Sequence, residues 1–339
     1  MPRIIHIEEP NVAVTAVLKR RVGGTWQEVK KLLSGRRVQV NGNLCLDEGR
    51  RVSAGDVVKV LDHAAARPPG EADLRIRHAD EHLVIVEKPA GLTSTRHAEE
   101  QGWSNRRRNL QPTLEELLPR VLARQSGAGR AGRRGKPAGR KPGPGGRFGP
   151  AGRLPQVIAV HRLDRDTSGL MVFARTPATA AALIALFKRH DVDRRYLAVC
   201  HGHPQPMTID VPIIRDRGDG VRQATDHPPP GSAPQRAVTH VWPLGPVGGA
   251  YHLVECRLKT GRTHQIRIHM ALAGHLICGE KLYNKPMSGP AVPDASGAPR
   301  QALHSHHLGL VHPMTGQQLN FKMDWPPDMQ TWLDGLAAR

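Results

Sequence analysis

Apolar and polar positions change period along this chain, and the changes mark its elements. Residues 12–62 read as a small independent unit. Thr25-Trp26-Gln27-Glu28 has the spacing of a capping box, whose Thr hydroxyl and Glu carboxylate satisfy orphan amides, and it predicts a helix over 26–34 ending at Gly35. Arg37-Val38-Gln39-Val40 alternates as a strand, Asn41-Gly42 is a turn signal, and 57–61 follows the Gly55-Asp56 turn as another short strand. From 80 to 325 the pattern is strand-rich. Short β-type runs fall at 83–87, 157–161, 170–175, 196–200 and 251–258, whereas 178–189 and 264–273 have helical composition. Gly and Pro punctuate the connections, and strands do not alternate regularly with helices. The expected class is α+β with a mixed, largely antiparallel sheet, preceded by a small α/β unit.

One stretch has no period. Residues 124–153 hold nine Lys or Arg, ten Gly, four Pro and no acid. Such a composition buries too little apolar surface to offset its ordering entropy, and it predicts a disordered basic insert. The excess of positive charge extends beyond it: 49 Lys and Arg against 30 Asp and Glu give the 339-residue chain a formal charge of +19. A polyanionic partner follows, with nucleic acid ahead of an anionic membrane surface. Aromatic residues make up only 4% of the chain, so an RNA reader here leans on arginine and shape rather than on ring stacking. No apolar run approaches the roughly 20 residues of a membrane span, and the N-terminal residues lack the apolar core of a signal peptide. A soluble cytoplasmic protein with no membrane partner is expected. Cys45, Cys200, Cys256 and Cys278 are far apart and form no C-x-x-C pair, which predicts neither disulfides nor a cysteine zinc site.

The densest chemistry lies in Val160-His161-Arg162-Leu163-Asp164-Arg165-Asp166-Thr167-Ser168-Gly169-Leu170, a polar elbow between apolar strands. Asp164 and Asp166 form a D-x-D pair, but a hard cation wants more oxygen ligands than this supplies. Asp166-Thr167-Ser168-Gly169 approximates the Asp-Thr-Gly of aspartic proteases, yet Ser168 breaks it and no second copy supplies the partner carboxylate. The third option is a lone carboxylate, Asp164, acting as nucleophile or base beside arginines whose charge favours its anionic form. A second polar cluster runs from Leu258 to His269. Thr263 is its candidate N-cap and Gly274 its stop, which places Arg267 early in a short helix, where a planar fork suits a carboxylate or phosphate. His304, His306, His307 and His312 have neither Cys nor acid nearby, so they read as ordinary strand residues and no metal is expected.

In their respective chain positions, HRLDRDTSGL, KTGRTHQIRIH and VIVEKPAGL resemble three signature motifs of the RluA-type pseudouridine synthase family. Further matches are Arg195-Tyr196-Leu197-Ala198-Val199, Ile209-Asp210-Val211-Pro212-Ile213, Gly274-His275 with Gly279 and Tyr283, and Gln301-Ala302-Leu303-His304 before His312-Pro313. The resemblance spans 80–325 apart from the insert. It implies a catalytic domain with a central cleft, Asp164 as catalytic aspartate, Tyr196 as active-site tyrosine, and Arg267 as the arginine paired with Asp164. Arg162 takes the place of the arginine that enters the RNA stack, and Arg165, Arg262 and His264 beside these motifs are expected to contact RNA. Glu87, Arg194, Glu280 and Asn284 depart from the family pattern. VKKLLSGRRVQVNG followed by VSAGDVVKV resembles the S4 RNA-binding domain, with Lys30, Lys31, Arg36 and Arg37 as its RNA contacts. Its usual Arg-Leu-Asp entry and Ser-Arg-Ser helix start give way here to Val12-Ala13-Val14 and Gly23-Gly24-Thr25.

The implied reaction breaks the N1 glycosidic bond of a uridine, turns the base and rejoins it through C5. A carboxylate attacking either the sugar C1′ or the ring splits that step into easier ones and needs no cofactor. The target leaves its stack, a cationic side chain such as Arg162 fills the space, and Tyr196 packs on the uracil and removes the C5 proton. An S4-like unit favours large-subunit (23S-type) ribosomal RNA as substrate, by analogy, and no obligate protein partner is expected. The competing readings are a non-catalytic RNA-binding or ribosome-assembly factor and an acid hydrolase acting through Asp166.

Overall fold

The computed structural model describes residues 3–41, 43–96, 100–125, 154–216, 221–285 and 290–338. Gly42 of the expected turn and all but the first two residues of the 124–153 insert lie outside the described residues. The chain divides into two compact units, Met1–Pro69 with Arg96–Pro112, and Gly70–Thr95 with Thr113–Arg339.

In the first unit the capping box forms as its spacing predicts. The Glu28 amide donates to Thr25 Oγ1 (3.2 Å), the Thr25 amide donates to Glu28 Oε2 (2.6 Å), and the helix spans Trp26–Ser34. A second helix, Val14–Val22, precedes it without a side-chain cap, so no local signal announced it. Both helices turn apolar faces, Val14, Val17, Leu18, Val29 and Leu33, into one core with Val38 and Val58. The strands run Arg3–His6, Val57–Val60, Val38–Val40, Asn43–Leu44 in antiparallel order.

The second unit is built on a ten-stranded sheet. Its path is Met207–Asp210, Val238–Gly248, Tyr251–Leu258, Asp193–His201, Leu303–Val311, Ser168–Ala174, Leu83–Lys88 and Arg75–Ala79. Gln318–Lys322 and Ile158–Ala159 pair off this path. All pairings are antiparallel except one, between Ser168–Ala174 and Leu303–Val311. The Leu83–Lys88 and Ser168–Ala174 strands read as unbroken apolar runs because both sheet faces are covered. Leu83, Ile85, Leu170 and Val172 face Ala180 and Leu183 of the helix Pro177–Arg189; Val84, Val86, Met171 and Phe173 face Leu114, Leu117 and Leu118. Each such side chain contributes roughly 1.5–3 kcal/mol by leaving water.

The parallel contact also fixes where the Asp164 loop emerges. Gly169 has φ +127°, and a Cβ there would collide with the Ser305 backbone, so only glycine lets these two strands close at this point. Among the described residues no helix is long and apolar enough to cross a membrane.

Candidate active site

The segment after Leu83–Lys88 grips the Asp164 loop from behind. Ser94 Oγ donates to the Leu163 carbonyl (2.7 Å) and accepts from the Leu163 amide (3.1 Å). The Arg165 carbonyl accepts from the Gly91 amide (2.8 Å) and from Lys88 Nζ (2.9 Å). Lys88 is fully buried, and burial pulls its ammonium down to about 7 against the opposing charges of Asp166 and Asp164. On the far side Gln301 Nε2 donates to Thr167 Oγ1 (2.7 Å). The loop is therefore held through its backbone at 163 and 165 and through a side chain at 167, with Asp164 between the first two grips.

Across from it, Arg267 is the third residue of the helix Gln265–Leu272. Its guanidinium meets Glu280 in a two-pronged pair, Nε to Oε2 and Nη2 to Oε1, both 2.7 Å, and extends Nη1 to Asp164 Oδ2 at 3.4 Å. Burial alone would raise the Glu280 carboxyl, but the hydrogen bonds and charge of Arg267, with the Leu282 and Tyr283 amides, hold it below the usual carboxylate range. Glu280 thus anchors one edge of the guanidinium and leaves the other edge for Asp164.

The helix start differs from the expected one. Thr263 is not the N-cap: that position belongs to His264, in the left-handed region at φ 60°, and Gln265 Oε1 accepts the Arg262 amide (3.0 Å) instead. The Gln265 side chain also bonds Thr260, Thr239 and the Val238 carbonyl, which ties the helix start to the sheet. The left-handed turn carries the His264 imidazole to Asp164, with Nε2 3.8 Å from Oδ1 and Nδ1 2.8 Å from the Tyr283 hydroxyl.

Asp164, His264, Gln265 and Arg267 line a cleft of about 660 Å³. Its walls carry Arg162, Lys188, Arg194, Arg236, Lys259, Arg262 and Arg267, and among the described residues Asp164 is the one acid lining it. Tyr196 also lines it, and burial pushes its phenol up. His161 is neutral, drawn down to about 3 by burial and Arg194; its Nε2 accepts the Val172 amide (3.0 Å) and its ring stacks on Phe187.

The structure thus brings together Asp164, Tyr196, Arg267, Arg162, Arg262 and His264. Arg165 is not among the lining residues; its Nε donates to the Gly91 carbonyl (3.2 Å). Asp166 does not line the cleft either, and its carbonyl accepts from Arg300 (3.2 Å). In the first unit, Lys30 pairs with Glu48 (3.2 Å), Lys31 is exposed, Arg36 takes a left-handed φ of 59°, and Arg37 Nε donates to the Leu61 carbonyl (2.9 Å). The strand histidines have other partners: His304 bonds Ser168, His306 bonds Glu255, His307 bonds Asn320 and His312 bonds Asp80. Among the described residues, the one group with metal-ligand spacing is His201, Cys278 and Asp294, none of which lines the cleft.

Glu280 and Lys88 are the functional residues that sequence reasoning missed. Glu280 was visible only as a departure from a motif, and Lys88 only as part of a matching string. An acid 13 residues beyond a helical arginine carries no periodic signal.

With this geometry in place, comparison with known proteins defines the class. Residues 82–272 match the RNA pseudouridylate synthase family, and the chain belongs to it: it is an isomerase that makes pseudouridine in RNA. Among its relatives is the ribosomal large subunit pseudouridine synthase D of Zymomonas mobilis, 34% identical over 310 residues that cover 90% of this chain and 87% of the relative. The synthase D of Xanthomonas campestris is 32% identical over 295 residues, covering 85% and 76%. The solved structure of human RNA pseudouridylate synthase domain containing 4 shares the fold, with a TM-score of 0.55 at 21% identity over 77% of this chain and 92% of that one.

Proposed function

We propose that the chain isomerises particular uridines of large-subunit ribosomal RNA in the cytoplasm, with Asp164 as nucleophile. The observation that carries this is the charge of the cleft: among the described residues one carboxylate lines it, and every other side chain there with a permanent charge is a lysine or arginine. Those cations suit a phosphate backbone, and the single anion beside Arg267 suits attack on an electrophilic carbon. Attack by Asp164 forms a covalent bond that is broken again before release; the N1–C1′ bond breaks, the base turns, the C5–C1′ bond forms, and the proton lost from C5 is matched by one gained at N1, so the product is an isomer of the substrate. No other reactant enters the balance. A cleft of about 660 Å³ has room for an extruded nucleotide.

Each side chain takes a part in that sequence. Arg162, exposed at the cleft, fills the gap the uridine leaves, and Arg262 takes a neighbouring phosphate. Tyr196 packs against the base. Lys30, Lys31, Arg36 and Arg37 of the S4-like unit, within 12–62, contact RNA, and the basic insert 124–153 adds phosphate contacts. Both relatives of the synthase D type are ribosomal large subunit pseudouridine synthases, which supports the ribosomal substrate.

The test is a pseudouridine map of ribosomal RNA from a strain lacking the gene, complemented with wild type or Asp164→Ala. Large-subunit sites should vanish on deletion and return only with wild type. A binding-only factor would leave the map intact in the deletion strain.

A further inference from the structure

We propose that His264, held by Tyr283, is a positioning residue for Asp164. It presents an Nε2–H to Oδ1 of the carboxylate while Arg267 holds Oδ2, so that the nucleophile keeps a single orientation. The inference rests on reading Asp164 as the nucleophile.

The backbone supplies the first argument. His264 sits at φ 60°, a left-handed conformation uncommon for residues with a Cβ, and it gives no side-chain cap to the helix it precedes. What that conformation achieves is visible in the side chain: the ring lies between Asp164 and Tyr283.

Hydrogen-bond logic supplies the second. Burial raises the Tyr283 phenol, so it keeps its proton and donates it to Nδ1 across 2.8 Å. The neutral ring then carries its own proton on Nε2, the nitrogen facing Asp164. The opposite tautomer would set a nitrogen lone pair against a carboxylate. Tyr283 therefore selects the tautomer; the Nε2 to Oδ1 separation of 3.8 Å is longer than a hydrogen bond, and it is proposed to close when a nucleotide binds. The Tyr283 ring also lies against the Arg267 guanidinium at 5.2 Å, so one phenol supports both groups that flank the nucleophile.

The charges around the ring agree with a neutral donor. Burial lowers the imidazole most; Asp164 and Glu280 oppose it, Arg267 and Arg162 reinforce it, and the balance lies below the ordinary histidine value. Acid should convert the donor into an imidazolium that pairs with Asp164 and blunts its attack.

The experiment measures kcat and KM by tritium release from RNA transcribed with C5-tritiated uridine, for wild type, Asp164→Ala, His264→Ala, His264→Gln and Tyr283→Phe, from about pH 5.5 to 8.5. His264→Ala should lower kcat by about 10- to 100-fold with KM within about threefold of wild type. His264→Gln, whose side-chain amide places an N–H near the Nε2 position, should restore at least about a third of kcat and extend activity to lower pH. Tyr283→Phe should lower kcat by about 3- to 10-fold, its melting curve confirming a native fold. The inference is overturned if His264→Ala keeps wild-type kcat, if His264→Gln is as impaired as His264→Ala, or if only KM moves. An inactive Asp164→Ala beside a normal His264→Ala removes this inference alone, whereas an active Asp164→Ala removes the nucleophile reading beneath it.

Discussion

Arg267 and Glu280 face each other as matched forks, joined by two N–H···O bonds of 2.7 Å, and this pair aims the remaining guanidinium nitrogen at Asp164. A longer 3.4 Å contact to Asp164 beside two short ones means that the arginine is anchored first by Glu280 and only then shared with the nucleophile.

Glu280→Ala should therefore impair both stability and rate. Its side chain is fully buried, and removing one partner of a buried pair costs about 3–5 kcal/mol because the other charge is left without its match. Glu280→Gln keeps the shape but loses the charge, so a smaller stability loss with at least about a tenfold drop in kcat is expected. Chemical denaturation and single-turnover kinetics check the two effects separately. A Glu280→Ala protein as stable and as active as wild type would contradict the anchoring role.

Lys88 predicts a pH dependence of stability. Burial lowers its folded value to about 7 from an ordinary 10.5, so between those limits the unfolded chain binds more protons than the folded one. Stability should rise with pH through that window, by at most about 1.4 kcal/mol per pH unit from this group, and the cost of the buried charge is present in full below it. Lys88→Met removes the titration. Denaturation midpoints of wild type and variant between about pH 7 and 9 should therefore diverge in slope; parallel slopes would show that Lys88 does not titrate there.

Arg162 lies exposed at the cleft, where a phosphate or an opened base stack would meet it. Arg162→Ala should weaken RNA binding and reduce the slope of log affinity against log salt by about one counterion. Filter binding at several salt concentrations measures this, and an unchanged slope would place Arg162 outside the RNA path.

Much of this could be read from the chain, for identifiable reasons. The capping box at Thr25 and Glu28 is a local contract between adjacent residues, so it was legible, as were the strands whose apolar runs are packed on both faces. Leu303–Val311 was legible as a strand through its histidines, but not its interior place in the sheet, where His304 and His307 are buried and satisfied by Ser168 and Asn320. Val238–Gly248 was hidden by Pro243 and Pro246, beside which its pairing register slips. At the site, Asp164 and Arg267 were legible through dense polar strings. Glu280 was not, since it acts across a chain reversal, and His264 was read only as an RNA contact, because its approach to Asp164 depends on a left-handed backbone that the sequence does not mark.

The most direct measurement is the rate of C5 tritium release by Asp164→Asn, an isosteric change that keeps the cleft shape, with RNA affinity determined on the same protein. Release at least about 10⁴-fold below wild type, with Kd within about threefold, is the predicted result. Turnover near the wild-type rate by that variant would contradict the assignment of Asp164 as nucleophile.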